Sequence, residues 1–567
     1  MSTVPDTDSF GPVALKARLL AWLPGGGRVV PRAADTGEGR IPARWWELTG
    51  YVGLLLTAGV MRLWDLGSRA MHHDESLHAF YSWNLYNGSG YEHLPMMHGP
   101  FQFEATAAMF FVVGDGDISA RLLYALLGTA LIGLPFFFRR RLGRLGALLV
   151  AALLAFSPAM LYFSRFARND ILMAVWVLAL VISMWRYIDE GKNRYLYLSS
   201  AILALAFATK ETAYLITAIL GLFLVLLAVA AFWAQVRRGI DVGQASPPVG
   251  ALHLGSGIWE GLGRQVRLTE VSRSTSFLIL LVTLTLPLWS AFISIFQDTA
   301  LLGWSNIVLA APEGSPHIGA PTGGGLLIAF LVAIGLLALA VRLGFLWNWP
   351  VWWRSALIFY GVWVLLYSTF FTNMNGIATG GWEALGYWVV QQGEARGGQP
   401  WYYYFVITSI YEFLPLLFGV IASVYYLRRK DVFGFFLVFW AVATFTMFTI
   451  ASERMPWLLV NLALPLIVLA GKFLADVIQA IQWRRLGLGC GILVLPGVPV
   501  FLVLLWRLAF FEKGSGDVAN VLIPLGLASV LLGLVILGVY MARRSGVVNL
   551  AALATVPVAV LLLVLTV

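Results

Sequence analysis

Long uninterrupted apolar runs separated by short polar turns are the dominant pattern of this chain. They fall at roughly 46–66, 119–138, 145–163, 170–188, 195–210, 212–234, 275–296, 324–345, 354–372, 401–427, 432–450, 457–480, 486–508, 519–541 and 548–567. About 20 apolar residues suffice to cross a bilayer as a helix, because the hydrocarbon region is about 30 Å thick and each helical residue rises about 1.5 Å. The runs are continuous, not alternating, which excludes the period-two pattern of a membrane β-barrel. The pattern predicts an all-α fold: a polytopic transmembrane helical bundle of about 13–15 spans, with interfacial helices in some loops.

Composition agrees. With a mean hydropathy of +0.80 and only 12% charged residues, the chain has far more apolar sequence than a soluble core needs. Residues 1–44 are polar and rich in Gly, Pro and Arg, without a compact apolar segment and cleavage site, and are expected to form a disordered cytoplasmic tail. Residues 45–485 are read as the main transmembrane unit, with 235–274 as a cytoplasmic linker loop, and 486–567 as additional C-terminal spans. The single cysteine, Cys490, excludes an intrachain disulfide.

The net charge of +9 changes the picture only through its distribution. If the spans alternate, Arg139-Arg140-Arg141 with Arg144, Arg186 to Arg194, Arg237 to Arg273, Arg342 with Arg354, Arg428-Arg429-Lys430, Arg484-Arg485 and Arg543-Arg544 all fall on one side. Bases in short loops are an orientation signal and not a nucleic-acid surface, so this side and the N-terminus are expected to be cytoplasmic. The opposite, exoplasmic side then receives loop 67–118, the Ser164–Asp170 turn, Lys210-Glu211, loops 297–323 and 373–400, and Ala451–Trp457.

The candidate chemistry gathers on that exoplasmic side. Met71-His72-His73-Asp74-Glu75-Ser76 puts two carboxylates and two imidazoles just beyond the first span, ahead of an aromatic-rich stretch expected to be an interfacial helix over Asp74–Tyr86. Adjacent carboxylates can divide labour, one taking a proton while the other orients it or binds a cation. Five of the seven histidines share this loop, which leaves a divalent metal site open, although no tight ligand spacing is present. Arg165, Arg168, Lys210 and Arg454 supply four cations suited to a phosphate, against Asp170 and Glu211 as nearby acids. Such a mixture fits a reaction with an anionic leaving group and a hydroxyl nucleophile.

Loop 1 reads Asp74-Glu75 … Leu94-Pro95 … His98-Gly99-Pro100 … Gly114 … Arg121, and the chain continues with Arg168-Asn169-Asp170, Thr209-Lys210-Glu211-Thr212 and Glu453-Arg454-Met455-Pro456-Trp457. This resembles the membrane glycosyltransferases of the C-type fold, in particular the protein O-mannosyltransferase and aminoarabinose transferase group, and most narrowly the flippase-activity-associated glycosyltransferase-like family. The resemblance covers about residues 45–480, and His98-Gly99-Pro100 departs from it by lacking the first proline. It implies inverting transfer of a sugar from a polyprenyl-phosphate donor to a hydroxyl acceptor, at the exoplasmic face of the cell membrane. It further implies Asp74, Glu75 and Asp170 as the catalytic carboxylates, with Asp74 as the base. Arg168, Lys210, His98 and Arg454 would hold the donor phosphate, and Glu75, Asp170 and His73 are the candidates for a divalent metal ion. Expected partners are the polyprenyl-phosphate sugar, membrane lipid and an acceptor hydroxyl, with no nucleic acid. The alternative is a flippase, or a flippase-associated transporter of lipid-linked saccharides without transfer activity. That reading calls for ionisable residues at span centres, whereas here they crowd one side.

Overall fold

The computed structural model describes residues 44–241, 271–297, 299, 307–393, 398–429, 431–511 and 517–566. The expected tail before residue 44 and most of the expected 235–274 linker lie outside the described residues. The described chain is helical, its one β contact being an isolated antiparallel bridge between Val308 and Thr322. Among the described residues nine helices are long and apolar enough to cross a membrane, or up to 11 if each of two bent pairs is one span.

The first half comprises α1 (Trp45–Leu63), α2 (His73–Tyr86), α3 (Phe101–Val113), α4 (Asp117–Gly133), α5 (Arg144–Phe156), α6 (Pro158–Ser164), α7 (Asp170–Glu190), α8 (Arg194–Phe207) and α9 (Thr212–Asp241). The remainder comprises α10 (Arg273–Thr285), α11 (Gly324–Tyr367), α12 (Ala384–Gln391), α13 (Tyr403–Tyr411), α14 (Phe413–Arg429), α15 (Val432–Ile450), α16 (Leu459–Ala480), α17 (Trp483–Ala509), α18 (Asp517–Ser545) and α19 (Val547–Thr566). These bounds follow the apolar runs closely, with two kinds of departure. Helix α3 arises inside the expected loop 67–118, and several expected single spans are broken.

The expected span 145–163 bends by 60° between α5 and α6. Pro158 has no N–H to donate and pushes Ser157 into an extended conformation (φ −59, ψ 124), so the helix cannot run through. The carbonyls freed by the break are met by buried Arg62, which donates to Leu154 O at 3.2 Å and Ala155 O at 3.3 Å. A second break, of 109°, separates α13 from α14 at Glu412. The two breaks meet: Glu412 Oε1 accepts from Ser157 Oγ at 2.5 Å and from the Ala159 N–H at 3.0 Å. Irregular backbone at these depths is therefore satisfied by buried side chains, as an apolar surrounding demands. Helix α11 is likewise interrupted, at Asn348 (φ −159, ψ 87), and its two arms correspond to the expected spans 324–345 and 354–372.

The core is centred on α16, which is buried along almost its whole length between α5 and α14. Gly471 permits the crossing with α5, since a Cβ there would lie 2.6 Å from Val150 Cγ2. Small residues at a crossing let helix backbones approach closely inside a membrane. The last three helices pack mainly on one another, and α19 joins them to α16. The basic loop residues between spans are met by buried acids: Glu47 pairs with Arg139 at 3.1 Å, and Asp189 pairs with Arg141.

Candidate functional site

Six segments converge on one cleft of about 230 Å³: the start of α2, residues 96–98, the turn before α7, the turn between α8 and α9, α12, and the 451–457 connection. Asp74, His98, Arg168, Lys210, Glu211, Glu453 and Trp457 all line it.

Helix α2 begins with reciprocal capping. His72 Nδ1 accepts from the Asp74 N–H at 3.2 Å, and the Glu75 carboxylate accepts from the His72 N–H at 3.1 Å. Both acids lie in the first helical turn, where the helix dipole favours negative charge. Successive helical residues point about 100° apart, so the two carboxylates face different surroundings. Asp74 looks into the cleft, with a quarter of its side chain exposed.

Glu75 is turned into the protein and fully buried. Arg121 grips it with both arms, Nε to Oε1 at 2.8 Å and Nη2 to Oε2 at 3.0 Å. Arg69 Nη2 adds a contact at 3.0 Å and the Ala167 N–H another at 3.0 Å. Burial alone would raise its pKa, but the Arg121 hydrogen bonds and the N–H groups of Ala167 and His72 outweigh it and hold the carboxyl below the usual range. The expectation of a catalytic or metal-binding Glu75 is therefore revised. With both oxygens engaged, it ties α2, α4 and the turn before α7 together.

Arg168 is held on three sides. It pairs with Asp74 through Nη1, approaches Asp170 Oδ2 through Nε at 3.4 Å, and lies with its Cζ 3.5 Å from the centre of the Trp457 ring. Asp170 is fully buried and takes Lys210 Nζ on Oδ1 at 2.7 Å. It does not line the cleft itself but contacts two cations that do. Arg165 spends its guanidinium on the C-terminal end of α1, donating to Met61 O and Trp64 O at 2.7 Å each.

His98 and Glu211 face each other across the cleft floor, Nδ1 to Oε2 at 2.6 Å. The join beneath them is made by main chain, with Gly99 N donating to Thr209 O at 3.2 Å and Phe101 N to Ala208 O at 2.9 Å. A Cβ on Gly99 would lie 2.2 Å from Ala208 O, so only glycine fits there. His98 itself adopts φ +68, a conformation costly for a residue with a side chain and sustained here by its surroundings. Burial lowers the His98 pKa to about 3, aided by the charges of Lys210 and Arg168. Burial raises that of Glu211 to about 7, against the pull of Lys210. His78, whose Nδ1 meets Ala167 O at 2.9 Å, is lowered by burial to about 3 and stays neutral.

Two expected site residues lie apart. Arg454 does not line the cleft and donates to Gln399 O at 2.9 Å and Thr449 O at 3.2 Å. His73 is exposed on the first turn of α2. Among the described residues no three His, Cys, Asp or Glu side chains form a group able to hold a metal ion. Of the three expected ligands, Glu75 is saturated by Arg121 and Arg69, and Asp170 carries Lys210, so this set does not fit a cation. Conversely, Glu211, Glu453 and Trp457 line the cleft without having been given a role from sequence. All three sit in the short motifs noted above, next to residues that were.

Residues 97–238 match the model of the dolichyl-phosphate-mannose-protein mannosyltransferase family, a stretch that contains His98, Arg168, Asp170, Lys210 and Glu211. Over 114 residues the chain is 28% identical to undecaprenyl phosphate-alpha-4-amino-4-deoxy-L-arabinose arabinosyl transferase 2 of Proteus mirabilis (strain HI4320), covering 20% of this chain and 21% of that protein. The chain thus spans about one fifth of the length of this curated relative in the matched region. Among solved structures, ArnT from Cupriavidus metallidurans bound to undecaprenyl phosphate is similar at a TM-score of 0.42 and 16% identity, covering 93% of this chain and 78% of that one. The archaeal oligosaccharyltransferase AglB from Archaeoglobus fulgidus, in complex with an inhibitory peptide and a dolichol-phosphate, gives a TM-score of 0.45 at 14% identity, covering 90% and 56%. Through residues 97–238 the chain is thus similar to the dolichyl-phosphate-mannose-protein mannosyltransferase family.

Proposed function

We propose that the protein transfers a sugar from a polyprenyl-phosphate donor to a hydroxyl acceptor, with inversion, in the cleft formed around Asp74. The observation that carries this reading is the adjacency of one carboxylate and two buried cations, Asp74, Arg168 and Lys210, on the wall of a single cleft. A lipid phosphate is a leaving group once its negative charge is met, and Arg168 and Lys210 meet it where few waters compete. The acceptor oxygen attacks the anomeric carbon, its proton passes to the Asp74 carboxylate, and the bond from that carbon to the phosphate oxygen breaks with its electron pair leaving on the phosphate. Asp170 keeps both cations in place, and Glu75 keeps α2 in place, without either touching the substrate. The transporter reading has no comparable support, since the cleft's Asp, Glu, His, Lys and Arg residues all lie outside the helices long enough to span.

We place this cleft on the exoplasmic side and the N-terminus in the cytoplasm, because the arginine-rich loops lie on the other face if the spans alternate. Purified protein incubated with a panel of undecaprenyl-phosphate hexoses tests the activity: release of undecaprenyl phosphate by wild type and not by Asp74→Asn supports it. No release or transfer from any member overturns it. In a Cys490→Ala background, Ser89→Cys should label from outside the cell and Asn193→Cys only after permeabilisation. The reverse pattern would refute the assigned orientation.

A further inference from the structure

Glu453 stands out from the other acids of the site. Asp74, Asp170 and Glu211 each meet a cation or an imidazole, whereas no ion pair or hydrogen bond among the described residues engages the Glu453 carboxylate. It is nonetheless firmly placed. Ser452 N donates to Gln392 Oε1 at 3.0 Å and Ser452 Oγ to Gln392 O at 2.6 Å, while Met455 N donates to Tyr404 OH at 3.2 Å. These contacts fix the chain before Glu453 against the end of α12, which contributes Trp388 to the cleft, and after it against Tyr404 of α13.

Trp457 shares the cleft and carries a buried indole N–H with no partner among the described residues. Its ring face bears the Arg168 guanidinium at 3.5 Å, so Trp457 adjoins the cation assigned to the donor phosphate. A carboxylate oxygen accepts hydrogen bonds, while an indole N–H only donates. Lining one cleft, the two together match a sugar hydroxyl, which does both, and an indole such as Trp388 offers a flat apolar face to the C–H side of a pyranose.

We infer that Glu453, the Trp457 N–H and the Trp388 ring form a subsite for the donor's sugar ring, contiguous with the phosphate site at Arg168. The assignment rests on the donor reading given above. It selects the donor sugar over the acceptor because the sugar is covalently attached to the phosphate that Arg168 binds.

The test compares binding of bare undecaprenyl phosphate with that of undecaprenyl-phosphate hexoses, in wild type, Glu453→Ala and Trp457→Phe. The hexose that wild type binds most tightly relative to the bare phosphate is the probe. Glu453→Ala should reduce that preference by about 10- to 150-fold, the range for one hydrogen bond to a charged group, and leave bare-phosphate affinity within about twofold. Trp457→Phe keeps a ring beneath Arg168 and should reduce the preference by less. An undiminished preference in Glu453→Ala overturns the inference, as does an equal loss for both ligands. So does a wild type that binds bare phosphate but prefers no hexose. Failure of wild type to bind bare phosphate at all would instead remove the donor reading, a separate result.

Discussion

Asp74 and Arg168, 94 residues apart in sequence, meet as an ion pair in the wall of the cleft. The carboxylate assigned as proton acceptor is thus engaged by a cation assigned to the leaving group. In the proposed reaction an arriving phosphate would compete for the same guanidinium and, in taking it, free Asp74 for the acceptor hydroxyl, so that donor binding and release of the base would be one event.

This pairing gives the first expectation. Asp74→Asn should lower turnover by about 10²–10⁴, the usual contribution of a general base, while undecaprenyl phosphate binds at least as tightly because Arg168 has lost a competitor. Steady-state rates and ligand titration on the same preparation check it. Turnover close to wild type would take Asp74 out of the mechanism.

Lys210 has two jobs that a pair of variants separates. Lys210→Met leaves Asp170 buried beside Arg168 alone and should cost about 3–5 kcal/mol of stability, as breaking a buried pair does. Adding Asp170→Asn removes the stranded charge and should restore much of the melting temperature. Affinity for undecaprenyl phosphate should stay reduced in the double variant, by about 1.5–3 kcal/mol for one charge-assisted contact. Recovery of affinity together with stability would reduce Lys210 to a structural role.

Glu75→Gln leaves the buried Arg121 charge facing carbonyls only, and Arg121→Met leaves the buried Glu75 carboxylate to half-exposed Arg69 and two backbone N–H groups. Both should lower thermal stability by about 3–5 kcal/mol, and the double variant should be less damaged than the sum of the two. Thermal unfolding of the four proteins measures the coupling directly. A stable Glu75→Gln protein with no turnover would return Glu75 to the catalytic group.

The His98–Glu211 contact sets a pH dependence. Unfolded, the two groups titrate near 6.5 and 4.5; folded, His98 is lowered to about 3 and Glu211 raised to about 7. The depressed imidazole contributes stability above pH 6.5 that is lost as pH falls through about 3. The raised carboxyl contributes stability below pH 4.5 that is lost as pH rises through about 7. Between pH 4.5 and 6.5 one proton stays with the pair in either state, so its contribution is flat there and falls on both sides. Melting temperatures of wild type minus a His98→Phe/Glu211→Leu variant, taken from pH 3.5 to 8, should trace such a plateau. A difference that rises steadily with pH would contradict it.

Much of the bundle was legible because a membrane helix reveals itself by length and apolarity. Helix α15 begins and ends where its apolar run does, at Val432 and Ile450. What the sequence hid depends on contacts across the fold. Helix α3 is too short to span, and the bend at Glu412 is visible only through its hydrogen bond to Ser157. In the candidate site, residue types pointed to loops that converge, and Asp74, His98, Arg168 and Lys210 gather in one cleft. The pairing of Asp74 with Glu75 misled, because neighbours in sequence diverge by about 100° once the segment is helical. Arg454 misled for a different reason: its charge is spent on carbonyls that no local pattern announces.

The seam at Gly99 has a practical side. Residues 98–101 and 208–209 are joined by main-chain hydrogen bonds, with Gly99 pressed on the Ala208 carbonyl. A joint of that kind works as a jig: its alignment is indifferent to the side chains mounted beside it, provided position 99 stays glycine. Positions 97, 98, 211 and 212 are mounted on it and open into the cleft, as does Lys210, which its pair with buried Asp170 holds fixed. A combinatorial library confined to them would exchange the chemistry presented to a substrate while the two segments keep their register, which makes this short arc the natural place to re-engineer the protein.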